Sequence, residues 1–197
     1  MGKVIVVEFM SLDGVTHDPD GSGGSPQGGW VFRYGPEAVA NDPFGLGEVL
    51  DTGALLLGRR TWELFAKIWP GRDDPFSATM NAMPKLVVSH SLENADGWQN
   101  SAVLRGDLVT EARKRKQDRD IVIMGSTSVV RALTAHDEVD EYRLIVFPLV
   151  LGEGTRLFPD GTAPVSLALM SAQTAGAAIR LIYTQDTGNT ASPPSAG

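Results

Sequence analysis

The sequence contains no cysteine. Disulfide scaffolds, cysteine-ligated zinc, iron–sulfur clusters and thiol catalysis are therefore all excluded. No apolar run approaches the roughly 20 residues that a membrane-spanning helix needs. The first residues enter a strand pattern directly, without the apolar region and cleavage site of a signal peptide. We expect a cytoplasmic protein that does not associate with membranes.

An excess of positive charge is also missing. Seventeen basic residues face 24 acidic ones, which gives a net charge of −7 and an isoelectric point near 4.9. Proteins that bind DNA or RNA usually present a positive surface, so nucleic-acid binding is disfavoured. The three histidines, His17, His90 and His136, are far apart and lack the spacing of metal ligands. We expect no metal site.

The chain is long enough for one domain with an ordinary core. It has 197 residues, of which 42% are hydrophobic and 21% charged, and a domain of this size buries roughly 70% of its unfolded surface. Residues 1–186 form the predicted domain. The last stretch, 187–197, contains no large apolar residue and is predicted to be a disordered tail.

Short apolar runs alternate with helical patterns along the chain. Strand–helix–strand units imply parallel pairs joined by right-handed crossovers. We predict a three-layer α/β/α domain with a mixed, mostly parallel sheet that ends in an antiparallel hairpin. The predicted strands are Val4–Phe9, Ala54–Leu57, Lys85–Ser89, Ala102–Leu104, Ile121–Met124, Tyr142–Pro148, Val165–Gln173 and Ala177–Thr184. The predicted helices are one that follows Gly58 and ends near Ile68, Leu108–Gln117 and Val129–Ala135.

The junction after the second predicted strand suits a phosphate. The strand stops at Gly58, and a helix follows with Thr61 as its candidate N-cap. Free backbone N–H groups at a helix start bind anions, and Arg59 and Arg60 add forked donors that suit the 2′-phosphate of NADP. The alternative is an ordinary turn with two solvated arginines.

A similar junction follows the strand at 121–124. Gly125 allows a close backbone turn, and the hydroxyl residues Ser126, Thr127 and Ser128 follow at the helix start. These groups could donate to a diphosphate, although the segment matches neither a Rossmann fingerprint nor a Walker loop. An ordinary N-cap cluster is the alternative.

A third polar strand end is formed by Ser89, His90 and Ser91. These side chains could bind a ribose or a phosphate, whereas an exposed histidine without a role is the alternative for His90. Ligands of α/β sheets bind outside the carboxyl ends of the strands. We therefore expect the polar residues at 58–61, 89–91 and 125–128 to meet at one edge of the sheet.

Several motifs together resemble a known family. The matching segments are Ser11–Gly14, Leu57–Glu63, Lys85–Ser89, Met124–Ser126, Val139–Glu141 and Pro148–Phe158. Their order and spacing resemble the dihydrofolate reductase-like family, in the branch of the C-terminal reductase domain of riboflavin-biosynthesis pyrimidine deaminase–reductases. The resemblance implies a reductase that binds NADPH and forms homodimers, to which Pro148–Phe158 could contribute.

The resemblance also assigns cofactor-binding positions. In the family pattern, a Gly-Arg-x-Thr turn and a strand-end serine hold the adenosine and the phosphates, and a glycine–hydroxyl turn holds the diphosphate. The positions implied here are Gly58, Arg59, Arg60, Thr61, Ser89, His90, Ser91, Gly125, Ser126, Thr127 and Ser128.

Two features of the relatives are missing. The Pro-Trp loop of true dihydrofolate reductases, with the acidic residue on the helix after it, has no convincing counterpart, so folate reduction is not predicted. The zinc deaminase with its Pro-Cys-x-x-Cys signature is also lacking, since the chain has no cysteine. Whether the pyrimidine reductase step is retained stays open.

Acidic residues could act on the substrate. Asp13 follows the first strand, where it could orient a substrate N–H group or assist proton delivery; capping the Asp13–Gly14 turn is its alternative role. Glu48 and Asp51 lie on a predicted helix before the second strand, near the region of the family's substrate acid.

Aromatic residues could enclose a flat substrate. Trp30, Phe32, Trp62 and Trp69 are candidates for the walls of such a pocket. Core packing or a dimer contact is the alternative role for at least two of them. Of these, Trp30 and Trp62 are taken as substrate-binding residues.

The function expected from the sequence is an NADPH-dependent reductase that transfers hydride to a small heterocyclic substrate of pyrimidine or pterin type. One alternative is the 5-amino-6-(5-phosphoribosylamino)uracil reductase of riboflavin biosynthesis. Another is a non-catalytic nucleotide-binding module on the same fold.

Overall fold

A computed structural model describes residues 1–186, so the tail predicted at 187–197 lies outside the described residues. An eight-stranded sheet runs through the molecule in the order β4-β3-β2-β5-β1-β6-β8-β7. The strands are β1 (Val4–Ser11), β2 (Ala54–Gly58), β3 (Lys85–Val88), β4 (Ser101–Leu104), β5 (Ile121–Met124), β6 (Glu141–Phe147), β7 (Leu167–Ala175) and β8 (Ala178–Gln185).

Strands β1 to β6 pair in parallel, and the terminal hairpin is antiparallel. The predicted fold class is therefore confirmed. The helices are α1 (Val49–Thr52), α2 (Arg59–Ile68), α3 (Pro75–Ala82), α4 (Leu108–Lys116) and α5 (Thr127–Thr134), with a 3-10 turn at Trp30–Tyr34.

The central strand β1 shows why the fold has three layers. Successive side chains of a strand point to opposite faces of a sheet. Ile5 and Val7 accordingly join the core cluster that contains Trp62 of α2, while Val4 and Val6 join the cluster that contains Val130 of α5. Strand β1 is apolar on both faces because helices cover both faces.

Two elements were missing from the sequence-based assignment, α3 and the 3-10 turn. Helix α3 has clear local signals, since Pro75 occupies its first turn and the Asp74 carboxylate accepts a hydrogen bond from the Ser77 amide at 3.0 Å. The 3-10 turn is held by tertiary packing, because Trp30 and Val31 are buried in the core.

The topology creates a crevice at one edge of the sheet. Strand β5 lies between β2 and β1; α2, which follows β2, packs on one face, whereas α5, which follows β5, packs on the other. Where successive connections leave on opposite faces, a gap opens outside the carboxyl ends of the strands. Among residues 1–186, no helix is long and apolar enough to cross a membrane.

Candidate functional site

A cleft of about 590 Å³ opens at this edge of the sheet. It is bounded by the ends of β1 and β5, by α2, and by the loop that follows β1. We call the part of the lining around Gly125 and the start of α2 its polar end, and the part around Trp69 its aromatic end. Among the residues assigned to the cofactor from the sequence, Arg60, Thr61, Gly125 and Thr127 line the cleft.

The polar end is built where the junctions after β2 and β5 touch. The Ser126 hydroxyl accepts a hydrogen bond from the Gly58 amide at 2.9 Å, so these two strand ends are joined directly. Gly125 has a φ of 71°, and a Cβ atom there would lie 3.2 Å from Thr61 Cγ2. Glycine is therefore required by both the backbone conformation and the close approach of α2.

The start of α5 offers donors to the cleft. Its N-cap residue, Ser126, makes no capping hydrogen bond with its side chain, because that hydroxyl is engaged with Gly58. Thr127 lines the cleft, whereas Ser128 is exposed and lies outside the lining. The Thr127 and Val129 amides donate to the Gly125 and Ser126 carbonyls at 2.7 and 2.8 Å, so the Ser128 amide is the first-turn donor without a hydrogen-bond partner among the described residues. The positive end of the helix dipole also favours an anion here.

The two adjacent arginines differ in their surroundings. Helix α2 begins at Arg59, with Gly58 and not Thr61 as its N-cap residue, which corrects the capping role expected for Thr61. The Arg59 guanidinium pairs with Glu63 at 3.1 Å on the exposed face of α2, whereas Arg60 lines the cleft. The arginine placed to meet a bound phosphate is therefore Arg60.

The polar residues after β3 lie at the same edge, beside the end of β2, but outside the cleft lining. The Ser89 hydroxyl accepts hydrogen bonds from the Ser91 and Leu92 amides at 3.3 and 2.9 Å. Ser89 is buried and closes this turn, and His90 and Ser91 are exposed beside it. The structure joins two of the three polar strand ends in one cleft and sets the third next to them.

The Asp13 carboxylate is engaged by the protein itself. The Ser11 hydroxyl donates to it at 2.6 Å, and the Leu151 and Gly152 amides donate at 3.1 and 2.8 Å. These hydrogen bonds, that from Ser11 first, lower the pKa of Asp13 to about 2. Asp13 lies outside the cleft lining, and it fastens the loop after β1 to the segment after β6.

The other predicted substrate residues also lie away from the cleft lining. Trp30 is fully buried and its Nε1 donates to the His17 carbonyl at 3.0 Å, while Trp62 is buried and donates to Ser101 Oγ at 2.9 Å. Both indoles pack in the core. Glu48 and Asp51 lie at α1, where Asp51 is exposed.

Two of the four aromatic residues proposed from the sequence as pocket walls, Phe32 and Trp69, line the cleft, together with phenylalanines that were not singled out from the sequence. Phe65 and Phe76 flank Trp69 at centroid distances of 5.9 and 5.7 Å, and Phe9 and Phe44 lie 4.9 Å apart. Such walls suit a flat, largely apolar ring system. The Arg72 guanidinium lies 5.2 Å above the Trp69 ring at this end, and sequence reasoning had not identified it.

Sequence reasoning also missed Glu8, a carboxyl group in the wall of the cleft. It is only 3% exposed, and this burial raises its pKa to about 8. The available signal was a single acidic residue inside the apolar run Val4–Met10. Within the described residues, no group of three or more acidic or histidine side chains could hold a metal ion.

The fold and the cleft define an α/β protein in which a polar end and an aromatic end share one cleft. A sequence profile of the RibD C-terminal domain matches residues 2–181. The chain belongs to the RibD C-terminal domain family, and the resemblance stated from the motifs is confirmed.

The chain is similar in sequence to a Bacillus subtilis protein and in structure to a Shewanella protein. The uncharacterized protein YyaP of Bacillus subtilis (strain 168) is 28% identical over 138 residues, which cover 66% of this chain and 72% of YyaP. A candidate riboflavin biosynthesis protein from Shewanella sp. PV-4 superposes with a TM-score of 0.73 at 21% identity, covering 93% of this chain and 99% of that one.

A third relative is named for both a deaminase and a reductase. The diaminohydroxyphosphoribosylaminopyrimidine deaminase/5-amino-6-(5-phosphoribosylamino)uracil reductase of Thermotoga maritima superposes with a TM-score of 0.59 at 14% identity. The match covers 94% of this chain and 57% of the Thermotoga chain. At these identities the two solved structures show that the fold is shared.

Proposed function

We propose that this protein is an NADPH-dependent reductase that transfers hydride to a small heterocyclic substrate. The observation that carries the proposal is the joined pair of junctions, in which Gly125, Thr127 and Arg60 line one cleft with an aromatic far end. Membership of the RibD C-terminal domain family supports a reductase.

The residues of the polar end fit a dinucleotide phosphate. Gly125 packs closely against Thr61, and because glycine has no side chain, a diphosphate bound at this turn could approach the main chain closely. The first turn of α5 adds its positive dipole end, and Arg60 would bind the 2′-phosphate. When bound, NADPH supplies the hydride, and the protein supplies position and electrostatics.

The substrate would lie at the aromatic end. Phe65, Trp69 and Phe76 form a surface against which a flat ring can stack. Apolar walls of this kind would limit the access of water to the reacting face of a bound ring.

A phosphorylated pyrimidine is the specific alternative substrate. The Thermotoga relative is named for a phosphoribosylamino uracil reductase, and Arg72 at the aromatic end could bind the phosphate of such a substrate. Growth of a riboflavin auxotroph that lacks this reductase, with this chain expressed in it, tests the alternative. Rescue would establish the activity, and absence of rescue despite soluble expression would remove it.

The cofactor assignment is tested by calorimetric titration of NADPH and NADH. We expect Arg60→Ala to weaken NADPH binding about tenfold or more, because a charge-assisted phosphate contact is worth roughly 1.5–3 kcal/mol. NADH binding should change little. Arg59→Ala is the matched control, since Arg59 already pairs with Glu63, and its effect should be smaller.

Two outcomes would contradict the proposal. An equal loss of NADPH and NADH affinity in Arg60→Ala would remove the 2′-phosphate contact. Failure of the unmodified protein to bind NADPH below millimolar concentration would remove the reductase assignment. NADPH binding without oxidation across pterins, pyrimidines and quinones would favour a non-catalytic nucleotide-binding module.

A further inference from the structure

Glu8 is an acidic residue in a position that usually excludes acids. It lies on the central strand β1, between Val7 and Phe9, and pairs in register with Leu144 of β6. Its residue surface is 3% exposed, and the small accessible part belongs to the wall of the cleft. A carboxyl group is rarely buried unless a partner compensates it.

The protein supplies only part of that compensation. Glu8 Oε1 is buried and has no hydrogen-bond partner within residues 1–186, and Glu8 takes part in no salt bridge there. The Gly125 amide is the backbone group that acts on the carboxyl. A buried oxygen without a hydrogen-bond partner costs about 1–3 kcal/mol of folding free energy. We therefore expect a bound ligand to supply the partner that Glu8 Oε1 lacks in the protein.

Another buried acid of the same sheet shows the contrast. Glu141, also on a strand and 4% exposed, pairs with Lys3 at 3.0 Å and with Arg143 at 2.5 Å. Glu141 therefore has a complete structural role within the fold. Glu8 has no corresponding cation, and it differs further because it faces a cleft.

Burial raises the pKa of Glu8 to about 8, and the Gly125 amide offsets part of this rise. The group is accordingly protonated at neutral pH. A neutral carboxyl group offers one O–H donor next to one carbonyl acceptor. That pair is complementary to an amide, whose carbonyl accepts and whose N–H donates along the same edge.

Other charged groups reach the cleft from the surrounding elements. The remaining charged or titratable lining residues are His17, Asp18 and Asp20 after β1, Arg60 on α2, and Arg72 and Asp74 before α3.

We propose that the Glu8 carboxyl group binds a carboxamide or ring-lactam group of the bound ligand through a paired donor and acceptor hydrogen bond. The inference rests on the proposed function and deepens it. Two sources share this chemistry, namely the nicotinamide carboxamide of NADPH and the lactam of a pyrimidine or pterin substrate. In either case Glu8 positions the ring that takes part in hydride transfer.

The test is a set of binding titrations at about pH 7 and about pH 9.5, on either side of the Glu8 pKa. The ligands are NADPH, ADP-ribose 2′-phosphate, which lacks nicotinamide, and, on NADPH-loaded protein, 2-pyridone, a flat lactam that stays neutral at both pH values. The proteins are the unmodified chain, Glu8→Gln, Glu8→Met and the control Glu63→Gln, whose acid is on α2 and pairs with Arg59.

A carboxamide contact to the cofactor predicts a specific pattern. The unmodified protein should bind NADPH about tenfold more weakly at the higher pH, whereas ADP-ribose 2′-phosphate should show no such loss. Glu8→Gln keeps a neutral donor–acceptor pair, so its NADPH affinity should be independent of pH. Glu8→Met should bind NADPH about tenfold more weakly at neutral pH, and Glu63→Gln should behave like the unmodified protein.

A substrate contact gives the same pattern for 2-pyridone on the loaded protein, with NADPH binding independent of pH. Equal losses for NADPH and ADP-ribose 2′-phosphate would mean repulsion of the phosphates and would overturn the inference. So would identical titrations of the unmodified protein and Glu8→Gln for every ligand. Absence of any NADPH binding would overturn the proposed function, and the inference with it. The pH series on the unmodified protein needs no variant to fold.

Discussion

Two carboxyl groups near the end of β1 are shifted in opposite directions. Asp13 accepts hydrogen bonds from three donors, which stabilise its charged form, whereas Glu8 is desolvated with little compensation. The charged carboxylate of Asp13 therefore fastens a loop, whereas the carboxyl group of Glu8 is a neutral group in the wall of the cleft. Their opposite shifts give opposite dependences of stability on pH.

The raised pKa of Glu8 should lower stability as the pH rises. Between its ordinary value of 4.5 and about 8, the unfolded chain releases a proton that the folded chain retains. The free energy of unfolding then falls by about 1 kcal/mol per pH unit in that window. We expect Glu8→Gln to remove this fall, so that its stability relative to the unmodified protein is greater at about pH 8 than at about pH 5. Urea unfolding at several pH values measures the difference, and parallel profiles would contradict it.

The lowered pKa of Asp13 has the opposite sign. Its contribution is present above the ordinary value of 3.8 and is lost as the pH falls through about 2. Asp13→Asn should cost about 1–2 kcal/mol near neutral pH, since hydrogen bonds to a charged acceptor are lost. Asp160→Asn, at an exposed acid, is the control. If the loss of unfolding free energy in Asp13→Asn does not become smaller at lower pH, the stabilising hydrogen bonds do not depend on a charged Asp13 carboxylate.

At the scale of elements, one side chain couples two strand–helix junctions. The Ser126 hydroxyl accepts the Gly58 amide across the β2–β5 boundary. Ser126→Ala should leave that buried amide unpaired and lower stability by about 1–2 kcal/mol. It should also weaken NADPH binding by loosening the polar end. Ser128→Ala alters an exposed hydroxyl of the same helix and should change neither the melting temperature nor NADPH binding. Equal effects of Ser126→Ala and Ser128→Ala would contradict a role of Ser126 in joining the two junctions.

Much of the element order follows from the sequence, because buried parallel strands are apolar on both faces. The runs at Val4–Phe9 and Ile121–Met124 could be assigned for this reason, and β1 extends two residues further than predicted, to Ser11. The ends of the hairpin strands differ by one or two residues, since an exposed hairpin has a weaker apolar pattern. Helix α3 was missed despite its Asp74 cap, because it lacks a strong amphipathic pattern.

The site was predictable where it depends on strand order, and unpredictable where it depends on tertiary packing. Parallel strands bring the residues after β2 and β5 to one edge, so Arg60 and Gly125 could be placed together. Which of Arg59 and Arg60 faces the cleft depends on where α2 begins. Trp30 and Trp62 enter the core because of long-range contacts that no local pattern records.

At the scale of the whole molecule, ligand binding should raise thermal stability. NADPH would contact β5, α2 and α5 together, and a ligand that binds only the folded state stabilises it by about 2.7 kcal/mol at a hundredfold excess over Kd. We expect the melting temperature to rise with NADPH concentration and to rise less in Arg60→Ala. A melting temperature independent of NADPH would contradict binding to the folded chain.

We also propose that the molecule forms a homodimer. The edge strand β7 exposes Leu169 and Met170, at 57% and 64%, and Val150 in the segment after β6 is exposed as well. Within residues 1–186 no strand pairs with the outer edge of β7, and apolar residues on such an edge favour association. Light scattering after size-exclusion chromatography should give twice the chain mass, and a monomer mass at micromolar concentration would refute the proposal.

The positions of the four tryptophans make Trp69 a fluorescence probe of ligand binding in the cleft. Of the four tryptophans, Trp30, Trp62 and Trp98 are buried and donate hydrogen bonds to protein groups, whereas Trp69 lines the cleft and has an unpartnered Nε1 among the described residues. A bound molecule that does not absorb indole emission, such as NADP⁺, can therefore alter the emission mainly through Trp69. Its replacement by phenylalanine should make occupancy of the aromatic end spectroscopically silent while the other three indoles remain a constant background.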